Sequence, residues 1–125
     1  MNVRDIVIGG SDLQFVNILS QNIKKLHPDV EIYSTNDAYD MYILTGEKKP
    51  LILISELIFP QWDWDGYLIL KLIKKDKRFR DISTFLILDK RENKYEYILQ
   101  DEDIDKVFFK TDGLDVMLQE IEKII

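Results

Sequence analysis

Two hydrophobic patterns take turns along the chain: short, continuously apolar runs, and longer stretches in which apolar residues return every three or four positions. Ile6-Val7-Ile8 is a β-branched run stopped by Gly9-Gly10. Ser11-Asp12 offers a helix N-cap, and Phe15, Val16, Leu19, Ile23 and Leu26 recur at helical spacing until Pro28 ends the segment. Val30 to Tyr33 reads as a second strand. Asn36-Asp37 can cap a second helix carrying Met41, Ile43 and Leu44, which the pattern closes at Gly46. Leu51-Ile52-Leu53-Ile54 has no alternation, the mark of a strand buried on both faces. A loop from Phe59 to Gly66 leads to a third helix over Tyr67 to Lys75, whose tail to Arg80 is strongly basic. Thr84 to Leu88 is another uninterrupted strand, followed by a weaker helix around Glu92 to Gln100. Val107-Phe108-Phe109 is a fifth strand. Asp112 can cap a last helix with Leu114, Met117, Leu118, Ile121 and Ile125 on one stripe.

Strand and helix therefore alternate through five units, which predicts an α/β protein. The expected form is flavodoxin-like: a (βα)5 doubly wound, five-stranded parallel sheet with helices on both faces. Residues 1–125 read as a single domain, with no repeat, low-complexity tract or linker. In such sheets ligands bind at the carboxyl ends of the strands. Those ends fall at Gly9 to Asp12, Ser55 to Gly66, Leu88 to Arg91 and Lys110 to Gly113.

Composition narrows the chemistry. A chain of this length buries roughly two-thirds of its unfolded surface, enough for an independent core. With 17 Lys+Arg against 23 Asp+Glu the net charge is −6, which disfavours direct nucleic-acid binding. Without cysteine there is no disulfide, thiolate metal site or thiol nucleophile, and one histidine, His27, does not make a clustered site. His27 precedes Pro28 and reads as a helix-terminal residue. No apolar run approaches the length of a membrane span, and the N-terminus lacks a signal-peptide pattern. The expectation is a cytoplasmic protein without a membrane partner, and no nucleophile–base pair argues for an enzyme.

At this point the chain resembles a response-regulator receiver domain, the CheY-like phospho-accepting module of two-component signal transduction. The resemblance runs over essentially the whole length. It is carried best by Pro50-Leu-Ile-Leu-Ile-Ser-Glu-Leu-Ile-Phe-Pro60 followed by Asp65-Gly66, and by Lys75-Asp-Lys-Arg-Phe-Arg-Asp-Ile82 leading into the fourth strand. Lys110 closes the fifth strand where receivers keep a lysine, at the usual distance after Leu88.

Position by position, the resemblance implies a pseudo-receiver, a degenerate form. The acidic pair that holds Mg²⁺ in receivers falls on Gly9 and Gly10, the phospho-acceptor aspartate on Glu56, the Thr/Ser switch on Leu88, the aromatic switch on Val107, and the proline after the lysine on Thr111. Of that set only Lys110 remains. Aspartyl phosphorylation needs a divalent cation to neutralise the phosphoryl charge, and glycines supply no oxygen for one. Glu56 is one methylene too long for the acceptor geometry, and Leu88 cannot hydrogen-bond a phosphoryl oxygen. The expected behaviour is no cofactor, weak or absent Mg²⁺ binding, and signalling by phosphorylation-independent protein–protein interaction. The partner would be a sensor-kinase-related protein, an output domain or a second copy in a homodimer. The alternatives are a conventional receiver phosphorylated through an adapted site, and a small flavodoxin-like ligand-binding protein or enzyme.

Within that frame, Glu56 with Lys110 is either a mimic of the phosphorylated state or a structural ion pair. Gly9-Gly10-Ser11-Asp12 is either a phosphate cradle or a tight turn with a capped helix. Trp62 and Trp64 sit in a loop longer than a typical receiver loop. One of them either folds over the space left by Gly9 and Gly10 or anchors a partner. The basic run Lys71, Lys74, Lys75, Lys77, Arg78, Arg80 contrasts with a tail, Asp101 to Ile125, that has eight acids and three bases. That asymmetry is either complementary docking charge or solvated helix surface. The resemblance places the docking face on Tyr95, Tyr97, Val107 and the outer side of Leu114 to Ile125.

Overall fold

The computed structural model describes residues 4–60 and 64–125. Five strands, β1 (Asp5–Gly9), β2 (Glu31–Thr35), β3 (Ile52–Glu56), β4 (Ser83–Leu88) and β5 (Lys106–Phe109), form one sheet. All paired strands are parallel and the order is β2-β1-β3-β4-β5. The expected flavodoxin-like architecture is thus the observed one. Helices α1 (Leu13–Leu26), α2 (Ala38–Lys48), α3 (Asp65–Lys75), α4 (Glu96–Leu99) and α5 (Leu114–Ile124) connect the strands and close the chain.

Strand side chains alternate between faces, which splits the core in two. Ile6, Ile8, Ile52, Ile54, Phe85, Ile87 and Phe108 meet Val16, Leu19 and Ile23 of α1 and Met117 and Ile121 of α5. Val7, Leu53, Leu86 and Leu88 meet Met41 of α2, Leu70 and Ile73 of α3 and Ile98 of α4. Every residue of β3 is buried, as its unbroken apolar run requires. The buried hydroxyls are satisfied: Thr45 donates to the Met41 carbonyl at 2.8 Å, Ser55 to the Glu56 carbonyl at 2.8 Å, and Thr84 to the more distant Asp103 carbonyl at 3.0 Å.

Three element ends differ from the sequence pattern. Helix α2 runs through Gly46 and stops at Lys49, which adopts a left-handed conformation (φ 45°) and donates its N–H to the Thr45 carbonyl. The weak fourth helix is a 3-10 turn (Asn93–Tyr95) followed by a single α turn, because only Tyr95 and Ile98 of that stretch reach the core. Asp112 does not cap α5: its carboxylate is engaged by Arg91 at 2.7 and 2.9 Å, and Gly113 (φ 91°) takes the N-cap position. Asp12 does cap α1, accepting from Phe15 N–H at 3.1 Å, and His27 ends it.

The charge asymmetry partly closes on itself. Lys71 binds Asp101 at 2.7 Å, and Lys74 binds Asp105 at 2.7 Å while also donating to the Ile82 carbonyl. Asp101 further accepts from the Tyr67 hydroxyl. Asp105 accepts from Thr84 N–H at 2.9 Å. Arg78 pairs with Asp76. For Lys71 and Lys74 the complementary surface is therefore the chain's own α4–β5 connection.

Candidate functional site

The order of the strands reverses between β1 and β3, since the chain fills β2 on one side of β1 and then crosses to β3 on the other. A cleft opens at the carboxyl ends of strands around such a point. Here it is a cavity of about 130 Å³ lined by Ser11, Asp12, Glu56, Leu57, Ile58, Ile87, Leu88, Asp89, Tyr95 and Lys110.

Lys110, directly after β5, is the centre of the site. Its ammonium lies 2.5 Å from Glu56 Oε2, 3.2 Å from Asp12 Oδ2 and 3.3 Å from Asp89 Oδ1. Three carboxylates from three strand ends thus converge on one cation. The Phe15 ring of α1 lies 4.5 Å from that ammonium, a cation–π contact on a further side. The second Glu56 oxygen, Oε1, accepts from the Asp12 backbone N–H at 2.9 Å. Glu56 is buried, so both of its oxygens are used, one by an ammonium and one by an amide.

The electrostatics follow from that placement. Burial pushes the Glu56 carboxyl above the ordinary glutamate value; the hydrogen bonds from Lys110 and Asp12 N–H pull it back only in part. Burial alone would lower Lys110, but its bond to Glu56, with Asp12 and Asp89 beside it, holds the ammonium above the ordinary lysine value. The Phe15 amide, joined by Lys110, holds Asp12 below the usual carboxylate range. The two acids therefore act in opposite senses on stability. The raised Glu56 favours the folded chain when protonated; that increment is present below the unfolded value and lost as pH rises through the folded one. The lowered Asp12 contributes stability above its unfolded value, lost as pH falls through the folded one.

The receiver resemblance implies a Mg²⁺ at this end of the sheet, and the residues present do not fit one. The side-chain space beside Gly9 is filled by Met41 Sδ and by Phe59, whose Cζ would lie 3.0 Å from a Cβ there. The space beside Gly10 is filled by Glu56 itself. The carboxylates that do reach the cavity, Asp12, Glu56 and Asp89, all bind Lys110. Among the described residues no group of three or more acidic, histidine or cysteine side chains is arranged to hold a metal. Mg²⁺ needs oxygen ligands in near-octahedral geometry, and the ammonium sits at the focus of those available here.

The remaining candidates fall into place around this core. Leu88 is buried and lines the cavity, and Val107 is half-buried against the core. Thr111 donates its N–H to the Asp89 carbonyl at 3.3 Å, which ties the end of β5 to the end of β4. Trp62 lies outside the described residues. Trp64 does not cover the cavity: its indole stacks on Tyr97 (ring centroids 5.7 Å, planes 9° apart) and meets Tyr67 and Tyr95. Tyr95 is buried as a wall of the cavity rather than presented on a docking face, whereas Tyr97 is exposed. The sequence pattern missed Asp89 and Phe15 as neighbours of Lys110. Asp89 was detectable as the first residue after β4, at a strand end like the others.

Comparison with known proteins places the fold. No family model matches the chain, and no curated protein matches it. Among solved structures, it superposes on the signal receiver domain of a DNA-binding response regulator (merR) from Colwellia psychrerythraea 34H with a TM-score of 0.85, 19% identity and 96% coverage of both chains. A LuxR-family DNA-binding response regulator from Staphylococcus aureus gives a TM-score of 0.80 at 22% identity, covering 97% of this chain and 98% of that one. The chemotaxis response regulator CheY4 of Vibrio cholerae gives 0.81 at 8% identity, covering 99% and 100%. The chain therefore has the fold of response-regulator receiver domains. No described helix is long and apolar enough to cross a membrane.

Proposed function

We propose that this chain is a receiver-like signalling module of the two-component type, with a degenerate phosphorylation site, that acts by phosphorylation-independent protein–protein contact in the cytoplasm. The observation that carries the reading is the engagement of Glu56. The one carboxylate at the acceptor position has an oxygen on the Lys110 ammonium at 2.5 Å and an oxygen on the Asp12 amide at 2.9 Å. The ammonium and the amide hold the carboxylate where it lies and draw on its charge, which lowers its nucleophilicity toward a phosphodonor. The space where a second acid would help hold a cation is occupied by its own side chain. Positioning and charge neutralisation supply nearly all of phosphoryl-transfer catalysis, so losing both removes the reaction rather than slowing it slightly.

A module of this kind transmits by its surface. The partner is a sensor-kinase-related protein, an output domain or a second copy, met by the outer side of α5 and by Tyr97. Incubation with acetyl phosphate and Mg²⁺, followed by intact-mass measurement, tests the reading. The expected result is an unchanged mass. A phosphoryl adduct that disappears in Glu56→Ala would overturn it in favour of a conventional receiver with an adapted site.

A further inference from the structure

The strand-end site holds a carboxylate that belongs to the chain itself, and one glycine decides whether it can stay there. Gly10 follows β1, and its N–H donates to the Thr35 carbonyl at 3.1 Å. Its backbone does not require glycine: among the described glycines only Gly113 has a positive φ. What excludes a side chain is space. A Cβ at position 10 would overlap Glu56 Oε1 and lie 2.5 Å from Glu56 Cγ and 2.6 Å from Cδ, and these are its three nearest atoms. Because the clash extends to Cγ, turning the carboxylate alone does not relieve it. The whole side chain must leave its rotamer, and with it the bonds to Lys110 and to Asp12 N–H.

Gly9 provides the contrast one residue earlier. A Cβ there would meet Met41 and Phe59, and Glu56 is not among its nearest atoms. The two glycines at the lost acidic-pair positions therefore have separate causes. Gly9 is small because the core of α2 and the Phe59 ring press on it. Gly10 is small because a glutamate, one methylene longer than aspartate, lies across it.

We infer that Glu56 is a built-in occupant of the strand-end site and that Gly10 is the positioning residue that admits it, so that positions 10 and 56 operate as one unit. Glu56 takes up the donors an outside anion would need, the Lys110 ammonium and the Asp12 amide at the start of α1. The site is thereby kept in a single, self-occupied state. This inference rests on the reading that the site runs no phosphorylation cycle. The two fail separately: labelling by a phosphodonor defeats that reading whatever the relation between positions 10 and 56, and independence of those positions defeats the inference in an unlabelled protein.

A double-mutant cycle on the full chain tests it. Gly10→Ala is expected to lower the folding equilibrium constant at least tenfold in the parent and less than threefold in a Glu56→Ala background. Gly9→Ala is expected to cost the same in both backgrounds. A second readout reports position rather than stability: the pH midpoint of the Glu56 carboxyl carbon by NMR. It should lie above the ordinary glutamate value in the parent and fall toward it in Gly10→Ala, as the carboxylate moves into water. If Gly10→Ala alone does not fold, recovery of folding in Gly10→Ala/Glu56→Ala is the expected result, and failure of that double variant contradicts the inference. Equal cost of Gly10→Ala in both backgrounds, or an unchanged Glu56 midpoint, overturns it.

Discussion

Gly66→Ala is expected to lower the melting temperature by on the order of 10 °C, the largest effect of a methyl group added at any of the five glycines. Gly66 lies in the first turn of α3 and donates its N–H to the Leu57 carbonyl at 3.0 Å, which brings the helix start against the end of β3. A Cβ there would overlap the Glu56 carbonyl oxygen and lie 2.8 Å from the carbonyl carbon and 2.7 Å from Ser55 Oγ. Those obstacles are mostly backbone of the central strand, which cannot swing aside as a side-chain tip can. Forcing atoms into a close-packed site costs about 3 kcal/mol at the upper end of the usual range. For a domain of this length that corresponds to roughly 4 °C per kcal/mol. Thermal unfolding followed by circular dichroism measures it. A loss under about 2 °C would mean that α3 can retreat from β3, and with it the support beneath Glu56.

Lys110→Met is the second large effect, and its size should depend on pH. The substitution keeps the aliphatic stem and removes the cation shared by Glu56, Asp12 and Asp89. Breaking a buried pair leaves an uncompensated charge; because Lys110 is partly open to water, about 2–3 kcal/mol is expected near neutral pH. The sign with pH follows from Glu56, which burial already raises above its ordinary value. Without the ammonium it rises further. Below that raised value the glutamate is neutral and no longer needs a cation, so the gap between variant and parent should narrow as pH falls toward the ordinary glutamate range. Urea unfolding at a series of pH values measures the gap. A difference constant with pH would show that Glu56 is not the group Lys110 neutralises.

Both effects arise where β1, β3, β4 and β5 end together, and the sequence made some of that visible. The apolar runs at Ile52 to Ile54 and Phe85 to Leu88 are strands because nothing polar interrupts them, and the structure buries both runs on two faces. The strand ends follow at once as the ranges Ser55 to Gly66 and Lys110 to Gly113, and within them the receiver resemblance, not the apolar pattern, points to Glu56 and Lys110. What local pattern does not encode is the direction of side chains on the connecting loops. Asp12 is legible as a helix cap, but its other oxygen reaching Lys110 depends on how α1 leaves the sheet. Asp112 has the sequence position of a cap and instead meets Arg91, some twenty residues away, because a tertiary partner outcompeted the local amide. The charge asymmetry reads as docking charge or solvated surface because the partners of Lys71 and Lys74, Asp101 and Asp105, lie about thirty residues downstream. Trp64 found a ring cluster with Tyr67, Tyr95 and Tyr97 that no periodicity connects. Gly10 read as a loss of an acid. That the extra length of Glu56 fills the same space is a tertiary contact between strand ends forty-six residues apart, which no local pattern carries.

The carboxylate at the end of β3 is engaged within the chain, and the proposed function requires that it take up no phosphoryl group. Beryllofluoride with Mg²⁺ builds an acyl-phosphate mimic on an acceptor carboxylate that can share a cation. The amide spectrum of the isotopically labelled protein, recorded with and without the two together, reads that capacity at every residue of the site. The amides of Gly10 to Asp12, Glu56 to Ile58, Leu88, Asp89 and Lys110 are expected to stay where they are. Saturable shifts centred on Glu56, Leu88 and Lys110, lost in Glu56→Ala, would contradict the proposed function.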